Sequence, residues 1–153
     1  ELDELVKNGV SNKELRKRAS AARGTTRKHG TPLDPDGTCA KLRAEIKTRH
    51  GKSIAVVIND SVGRAWRVGT VGIALGASGL ESVLDLRGQS DLYGRPLAVS
   101  IVGLGDELAA AASIVQGEGD EGLPVVLVRG LERATSHGDG STLVRDEAED
   151  LFR

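Results

Sequence analysis

Apolar residues are sparse and helically spaced at the start of the chain, then gather into short continuous runs punctuated by glycine. In the first stretch Leu15, Ala19 and Ala22 form a thin stripe. Ser11-Asn12-Lys13-Glu14 fits a capping box there and predicts a helix from about Asn12 to Ala22. Arg23 to Gly30 reads as loop. Asp34-Pro35 opens a second predicted helix, with Asp as N-cap and Pro at the first helical position, where its missing N–H costs nothing. Cys39, Leu42 and Ile46 share one face of it, and Gly51 ends it.

The period then shortens. Ser53–Ile58 is β-branched and apolar, which predicts a buried strand. Asn59 to Trp66 reads as a turn-rich loop. Val68–Leu75 is apolar but interrupted by glycine, the pattern of a strand with a bulge or a close backbone contact. Leu80–Leu86 fits helix or strand equally, and Leu97–Val102 reads as a strand. Asp106–Val115 is Ala-rich and helical, with acidic residues at the positive end of its dipole. Gln116–Gly122 is a glycine-rich acidic loop, Pro124–Val128 a further buried strand, and Leu143–Phe152 a terminal amphipathic helix. Non-adjacent strands among helices predict an α+β fold, a mixed sheet with flanking helices; an α/β sheet is the alternative. Residues 1–31 form a polar, basic N-terminal segment, helical or disordered, and 32–153 form the α+β domain.

Composition narrows this picture. A chain of 153 residues suits one domain. Apolar residues make up 39% and aromatics only 2%, so the core must be built from Val, Leu, Ile and Ala. A net charge of −1 gives no reason to expect a nucleic acid as partner of the whole chain. The basic run from Lys13 to Lys28 could be a phosphate- or nucleic-acid-binding arm; a solvated helix face is the plainer reading. The single Cys39 excludes an intrachain disulfide and a Cys-based zinc site, and reads as a small apolar residue. His29, His50 and His137 lack metal-ligand spacing. No apolar run reaches the ~20 residues of a membrane span, and no signal peptide is visible, so a cytoplasmic protein with no membrane partner is expected.

Three stretches could carry chemistry. Asp60 and Ser61 in Asn59-Asp60-Ser61-Val62-Gly63-Arg64 offer adjacent oxygens of the kind Mg²⁺ or Mn²⁺ prefers, and Arg64 can grip a phosphate or carboxylate. An Asx-type turn with a surface Arg is the plainer reading. In Gln116-Gly117-Glu118-Gly119-Asp120-Glu121-Gly122, three glycines let backbone N–H groups approach a phosphate. Its carboxylates would repel one another by roughly 4 kcal/mol at about 4 Å and an effective dielectric of about 20, and a divalent cation reverses that sign. A flexible acidic turn is the alternative. The loop lacks the Gly-Lys-Ser/Thr ending of a Walker loop. Asp85-Leu86-Arg87-Gly88 and Asp91-Leu92-Tyr93-Gly94-Arg95 could form a substrate or subunit contact, or simply ion-paired turns.

These stretches occur in an order that resembles one family. Val57-Ile58-Asn59-Asp60-Ser61-Val62-Gly63-Arg64-Ala65-Trp66-Arg67 is similar to its strand followed by "TD(T/S)FGRPWR". Val71-Gly72-Ile73-Ala74-Leu75-Gly76 resembles "VAIG", and Asp85 to Leu97 resembles "DxRGxxDxxGRPL". Asp106 to Ala112 resembles its "DELAAAA", and Gly117-Glu118 with Leu123 to Gly130 its "GK/GE…PVVLVRG". The family is the coenzyme F-420-0:γ-glutamyl ligases, and the resemblance covers roughly half of a full member. Asn59 stands where the family has Thr, and Val62 where it has Phe. The family's N-terminal motifs are not recognisable in residues 1–31.

The resemblance implies a truncated form of the ligase's α+β fold and a homodimer. It implies a GTP-dependent reaction that adds L-glutamate to coenzyme F-420-0. It places metal ligands at Asp60, Ser61 and Glu118, and a nucleotide contact along Gln116, Gly117, Glu118, Gly119, Asp120, Glu121, Gly122 and Leu123, with Mg²⁺ or Mn²⁺ as the ion. Arg64, Arg67 and Arg87 are the candidate substrate contacts, and no catalytic residue is assigned. The alternative, from a different class, is a non-catalytic homologue that keeps the fold and the subunit interface. A nucleic-acid-binding protein rests on residues 13–28 alone and would bind in a strongly salt-dependent way.

Overall fold

The structure is a computed structural model, described here for residues 31–131 and 138–149. The predicted helix near Asn12–Ala22 and the basic run lie outside those residues. Helix α1 spans Pro35–His50. Asp34 caps it by accepting the Gly37 N–H at 2.8 Å, Pro35 occupies its first turn, and Gly51 closes it in the left-handed conformation at φ 66°. Both ends therefore follow from side chains legible in the sequence. The expected apolar face holds only in part: Cys39 is buried, Ile46 half-buried and Leu42 exposed.

Strand β1, Val56–Arg64, pairs antiparallel with β2, Arg67–Ser78. Asn59–Arg64 is therefore strand rather than the expected turn-rich loop, and the turn shrinks to Ala65 and Trp66. Cross-strand pairing outweighs the local turn preference of Asn, Asp and Gly. The expected bulge is present: Ile58 faces Gly76 and Asn59 faces Ala74, leaving Leu75 as the extra residue.

The far edge of β2 is covered by carboxylates from two helix N-termini. Asp106 accepts the Ala74 N–H at 2.9 Å, and Asp36 accepts the Ala77 N–H at 2.7 Å. These amides lie three residues apart, an odd spacing that the bulge at Leu75 brings onto one edge. Asp36 also accepts the Gly140 N–H at 2.7 Å, tying in residues near a 3-10 turn at Ser141–Leu143.

Residues 84–102 fold as one irregular hairpin. Its strands β3, Leu84–Asp85, and β4, Ile101–Val102, are only two residues each. The expected strand Leu97–Val102 is thus mostly lost, because Leu97 and Ser100 bond irregularly to Gly88, Gln89 and Leu86. Helix α2, Leu104–Gln116, matches the expected Ala-rich helix and starts two residues early.

Cys39, Ala74, Ala77, Leu80, Leu104 and Ala109 form the buried core, between β2 and the two helices. Its small side chains let backbones approach closely. At Gly72 a Cβ would fall 2.6 Å from the Ala109 carbonyl oxygen and 2.9 Å from the Ser113 side chain. The fold class is α+β as expected, but among the described residues the pairing is antiparallel, in two two-stranded sheets. Pro124–Val128 is not the expected buried strand: Val125 is 66% exposed, and no ladder includes these residues. An apolar run becomes a strand only against another strand. The expected helix Leu143–Phe152 is replaced, over its described part, by 3-10 turns at Ser141–Leu143 and Glu147–Glu149. Among the described residues, no helix is long and apolar enough to cross a membrane.

Candidate functional site

Side chains alternate along a strand, so Asn59 and Ser61 share one face of β1 and Asp60 takes the other. The face is set by what lies across: Ser61 is opposite Gly72, whose missing Cβ points at Ala109 and Ser113 of α2. Asn59 and Ser61 therefore look toward α2 and the loop that follows it. Two hydrogen bonds cross that gap. Asn59 Nδ2 donates to Gln116 Oε1 at 2.7 Å, and Ser61 Oγ donates to Glu118 Oε2 at 2.9 Å.

The structure thus joins the two candidate motifs, 57 residues apart in sequence, through Ser61 and Glu118. Asp60 is exposed, and its Oδ1 accepts the Ser61 N–H at 2.8 Å. Asp60 and the Ser61–Glu118 pair are adjacent along the chain but face different ways. Among the described residues, no three or more His, Cys, Asp or Glu side chains gather closely enough to hold a metal ion by themselves. The Ser61–Glu118 pair nevertheless has the right chemistry for a hard cation. Ligands at 2.0–2.1 Å in an octahedron lie roughly 2.9 Å apart when adjacent, which is also the separation of Ser61 Oγ and Glu118 Oε2. Two oxygens of this kind fit part of such a shell, while the Asp60 carboxylate lies on the other face of β1.

The loop after α2 turns at Gly117, with φ 72°, and at Gly122, with φ 67°. One of its amides already holds an anionic oxygen: Gly119 N–H donates to Glu121 Oε2 at 2.9 Å. The Glu121 carboxylate also lies where a Cβ on Gly117 would be. The backbone is therefore shaped to receive negatively charged oxygen. Asp120 is exposed, and Leu123 is exposed beside it.

The candidate arginines lie elsewhere. Arg64 and Arg67 face each other across the hairpin turn, both exposed. Arg64 lies four residues beyond Asp60, about 13 Å along a strand. Arg87 is held by Asp85, whose carboxyl its guanidinium draws down to about 2 from the usual range. Asp91 accepts the N–H groups of Tyr93 and Arg95 and pairs with the Arg95 side chain at 2.9 Å. The backbone N–H of Arg95 is the largest cause holding the Asp91 carboxyl below its ordinary value. Ion-paired turns are thus what this stretch forms. A shallow concavity lined by Glu81, Leu84, Asp85, Leu86 and Gln89 sits at its base and shares no residue with the Ser61–Glu118 pair. The Asn59–Gln116 bond was not legible in the sequence, since amides 57 residues apart carry no local signal.

Residues 18–130 match the family described as F420-0:gamma-glutamyl ligase. The match reaches back into the basic segment, further than the motifs from Val57 to Gly130 that carry the resemblance. The coenzyme F420:L-glutamate ligase of Methanocaldococcus jannaschii is 47% identical over 122 residues, 80% of this chain and 49% of that protein. The ligase of the same name from Archaeoglobus fulgidus is 47% identical over 124 residues, again 80% of this chain and 49% of the relative. That from Methanothermobacter thermautotrophicus is 44% identical over 124 residues, with the same shares. The chain spans about half the length of these curated relatives.

Proposed function

The chain belongs to the F420-0:gamma-glutamyl ligase family, and on that premise we propose that it serves the GTP-dependent, metal-assisted addition of L-glutamate to coenzyme F-420-0. The observation that carries this reading is the pair of oxygens at Ser61 and Glu118, 2.9 Å apart, beside a glycine-rich loop shaped for an anion. Ser61 and Glu118 would hold a Mg²⁺ or Mn²⁺ ion on the α2 side of β1, and Asp60 would present its carboxylate on the other. A bound cation supplies charge neutralisation for phosphate oxygens and polarises them toward attack.

The chain's own residues do the placing. The Gly119 N–H, once the Glu121 carboxylate has left it, would take a phosphate oxygen, with the rest of the 118–123 loop around the nucleotide; the Gly117 N–H is already bonded to the Ser113 carbonyl. Ser61 and Glu118 would hold the cation that draws the phosphates toward β1, so that the substrate carboxylate can be brought in line. The chemistry then balances in two displacements. A carboxylate oxygen of the substrate attacks the γ-phosphorus and GDP departs; the glutamate amine next attacks the acyl carbon and phosphate departs, with the amine proton passing to solvent or base. Arg64 and Arg67 are placed to meet an acidic substrate only if it lies along the hairpin, whereas Arg87 is already engaged by Asp85.

Calorimetric titration of GTP in the presence of Mn²⁺ tests the reading. Saturable binding that requires the metal is expected. Absence of any nucleotide binding favours the alternative, a non-catalytic homologue that keeps the fold and the subunit interface.

A further inference from the structure

Gln116 is the last residue of α2, so its backbone is fixed by the helix while Glu118, two residues on, belongs to the loop. The two contacts to β1 keep the same step: Asn59 with Gln116, then Ser61 with Glu118. The first is the more sheltered, part-buried at 2.7 Å, and the second is exposed. A sheltered amide pair holds its geometry better than an exposed hydroxyl–carboxylate pair, because losing one partner leaves the other unsatisfied away from water. The same Gln116 side chain also reaches the far end of the loop, where its Nε2 lies 3.5 Å from the Pro124 carbonyl, a long contact. Both ends of the 117–123 loop therefore converge on one carboxamide, and that carboxamide is held by Asn59.

We propose that Asn59 is a positioning residue for the Ser61–Glu118 oxygen pair, acting through Gln116. It ties the end of α2, where the loop leaves, to β1, and so holds the Glu118 carboxylate at its distance from Ser61. The inference rests on reading that pair as part of a cation site. It gives the Gln116 side chain a task other than direct nucleotide contact, since its Oε1 is taken by Asn59. Asn suits the position because its amide supplies the donor that Gln116 Oε1 needs and can keep a second N–H for another acceptor.

The test uses the full chain with Asn59→Leu, which keeps the branched shape and removes the donor, together with Gln116→Ala and the double variant. Outer-shell partners of metal ligands typically change affinity by about 10–100-fold. A fall of about tenfold in Mn²⁺ affinity is therefore expected in each single variant, alongside a lower melting temperature from the amide left unpaired. Hydrogen exchange at the amides of residues 117–122 should accelerate in both, while amides in the middle of α2 keep their protection. The double variant should lose no more than the singles, because both break one clasp. Unchanged loop exchange in Asn59→Leu overturns the proposal, as do additive losses in the double variant. If the wild-type chain binds no Mn²⁺, the cation reading fails by itself, and loop exchange still decides whether Asn59 holds the loop. Gln116 sits at a helix end, so Gln116→Ala keeps the test open should Asn59→Leu fail to fold.

Discussion

Gly76 of β2 lies directly against Pro35, the first residue of α1. A Cβ at position 76 would fall 2.5 Å from the Pro35 carbonyl carbon and 2.7 Å from the Asp36 amide nitrogen. Those are backbone atoms and cannot rotate away. Gly76→Ala should push α1 off β2 and destabilise the fold by about 1–3 kcal/mol, the usual cost of overpacking. Gly63, with nothing within 4 Å and no positive φ, provides the control: Gly63→Ala should be near neutral. Urea unfolding of both variants checks this, and equal midpoints would refute the close packing.

That contact also shows what the sequence could and could not reveal. The limits of α1 were legible because Asp34, Pro35 and Gly51 act on their own neighbours. Helix α2 was legible because alanine favours helix in any setting. The two candidate motifs were recognisable as words, Asp60-Ser61 and Gly117-Glu118. That the two stretches meet was implied by the family resemblance; that Ser61 rather than Asp60 makes the contact was not legible, since it depends on β1 running on through Asn59–Arg64 instead of turning. Strand pairing decided that, and pairing is a long-range property. Pro124–Val128 failed for the same reason in reverse, an apolar run that finds no ladder among the described residues. The Asn59–Gln116 bond needed both α2's end and β1's face to be known first.

Cys39 should be a poor nucleophile. It is fully buried, and burial pushes its thiol up from 9.0 to about 11, with Asp36 and Asp34 adding repulsion against a backbone hydrogen bond at Ile58. The folded value lies above the unfolded one, so the thiol's contribution to stability is complete below about pH 9 and is lost as pH rises toward 11. Iodoacetamide at pH 8 should leave the native chain unmodified and label it promptly in urea. Rapid labelling of the native chain would show that the α1 face is open.

The family resemblance implies a homodimer, and its contact is expected at the hairpin tip. Trp66 is 91% exposed at a φ of 58°, and Val68 is 100% exposed. Large apolar groups left open in a cluster commonly mark a contact, and a second copy of the chain is the expected occupant. Sedimentation should show a dimer for the wild type and a monomer for Val68→Asp. Trp66→Asn should also weaken association, and Asn tolerates the left-handed backbone there better than Trp. A monodisperse wild-type monomer at high concentration would reject the contact.

The last prediction separates the roles of Asp60, Ser61 and Glu118. All three are exposed or half-buried, so removing any one should alter stability by no more than about 0.5 kcal/mol. Their effects on ligand binding should differ in kind. Ser61 and Glu118 share one face and one contact, so Ser61→Ala and Glu118→Gln should each abolish most of the rise in melting temperature that GTP with Mn²⁺ produces. Ser61→Ala would remove an oxygen from the proposed cation, and Glu118→Gln the negative charge beside it. Asp60 stands on the opposite face and touches the pair only through the Ser61 N–H. If it contributes its own carboxylate to a cation, Asp60→Ala also loses the rise, and the Asp60–Ser61 double variant loses no less than either single. If it only shapes the strand, Asp60→Ala shifts the melting temperature without ligand and leaves the ligand-induced increment intact. Glu121 supplies the internal check. Its carboxylate occupies the Gly119 N–H that a phosphate would need, so Glu121→Gln, which removes the competing charge, should strengthen nucleotide binding. Weaker binding in that variant would mean that Glu121 holds the ligand instead of standing in its place.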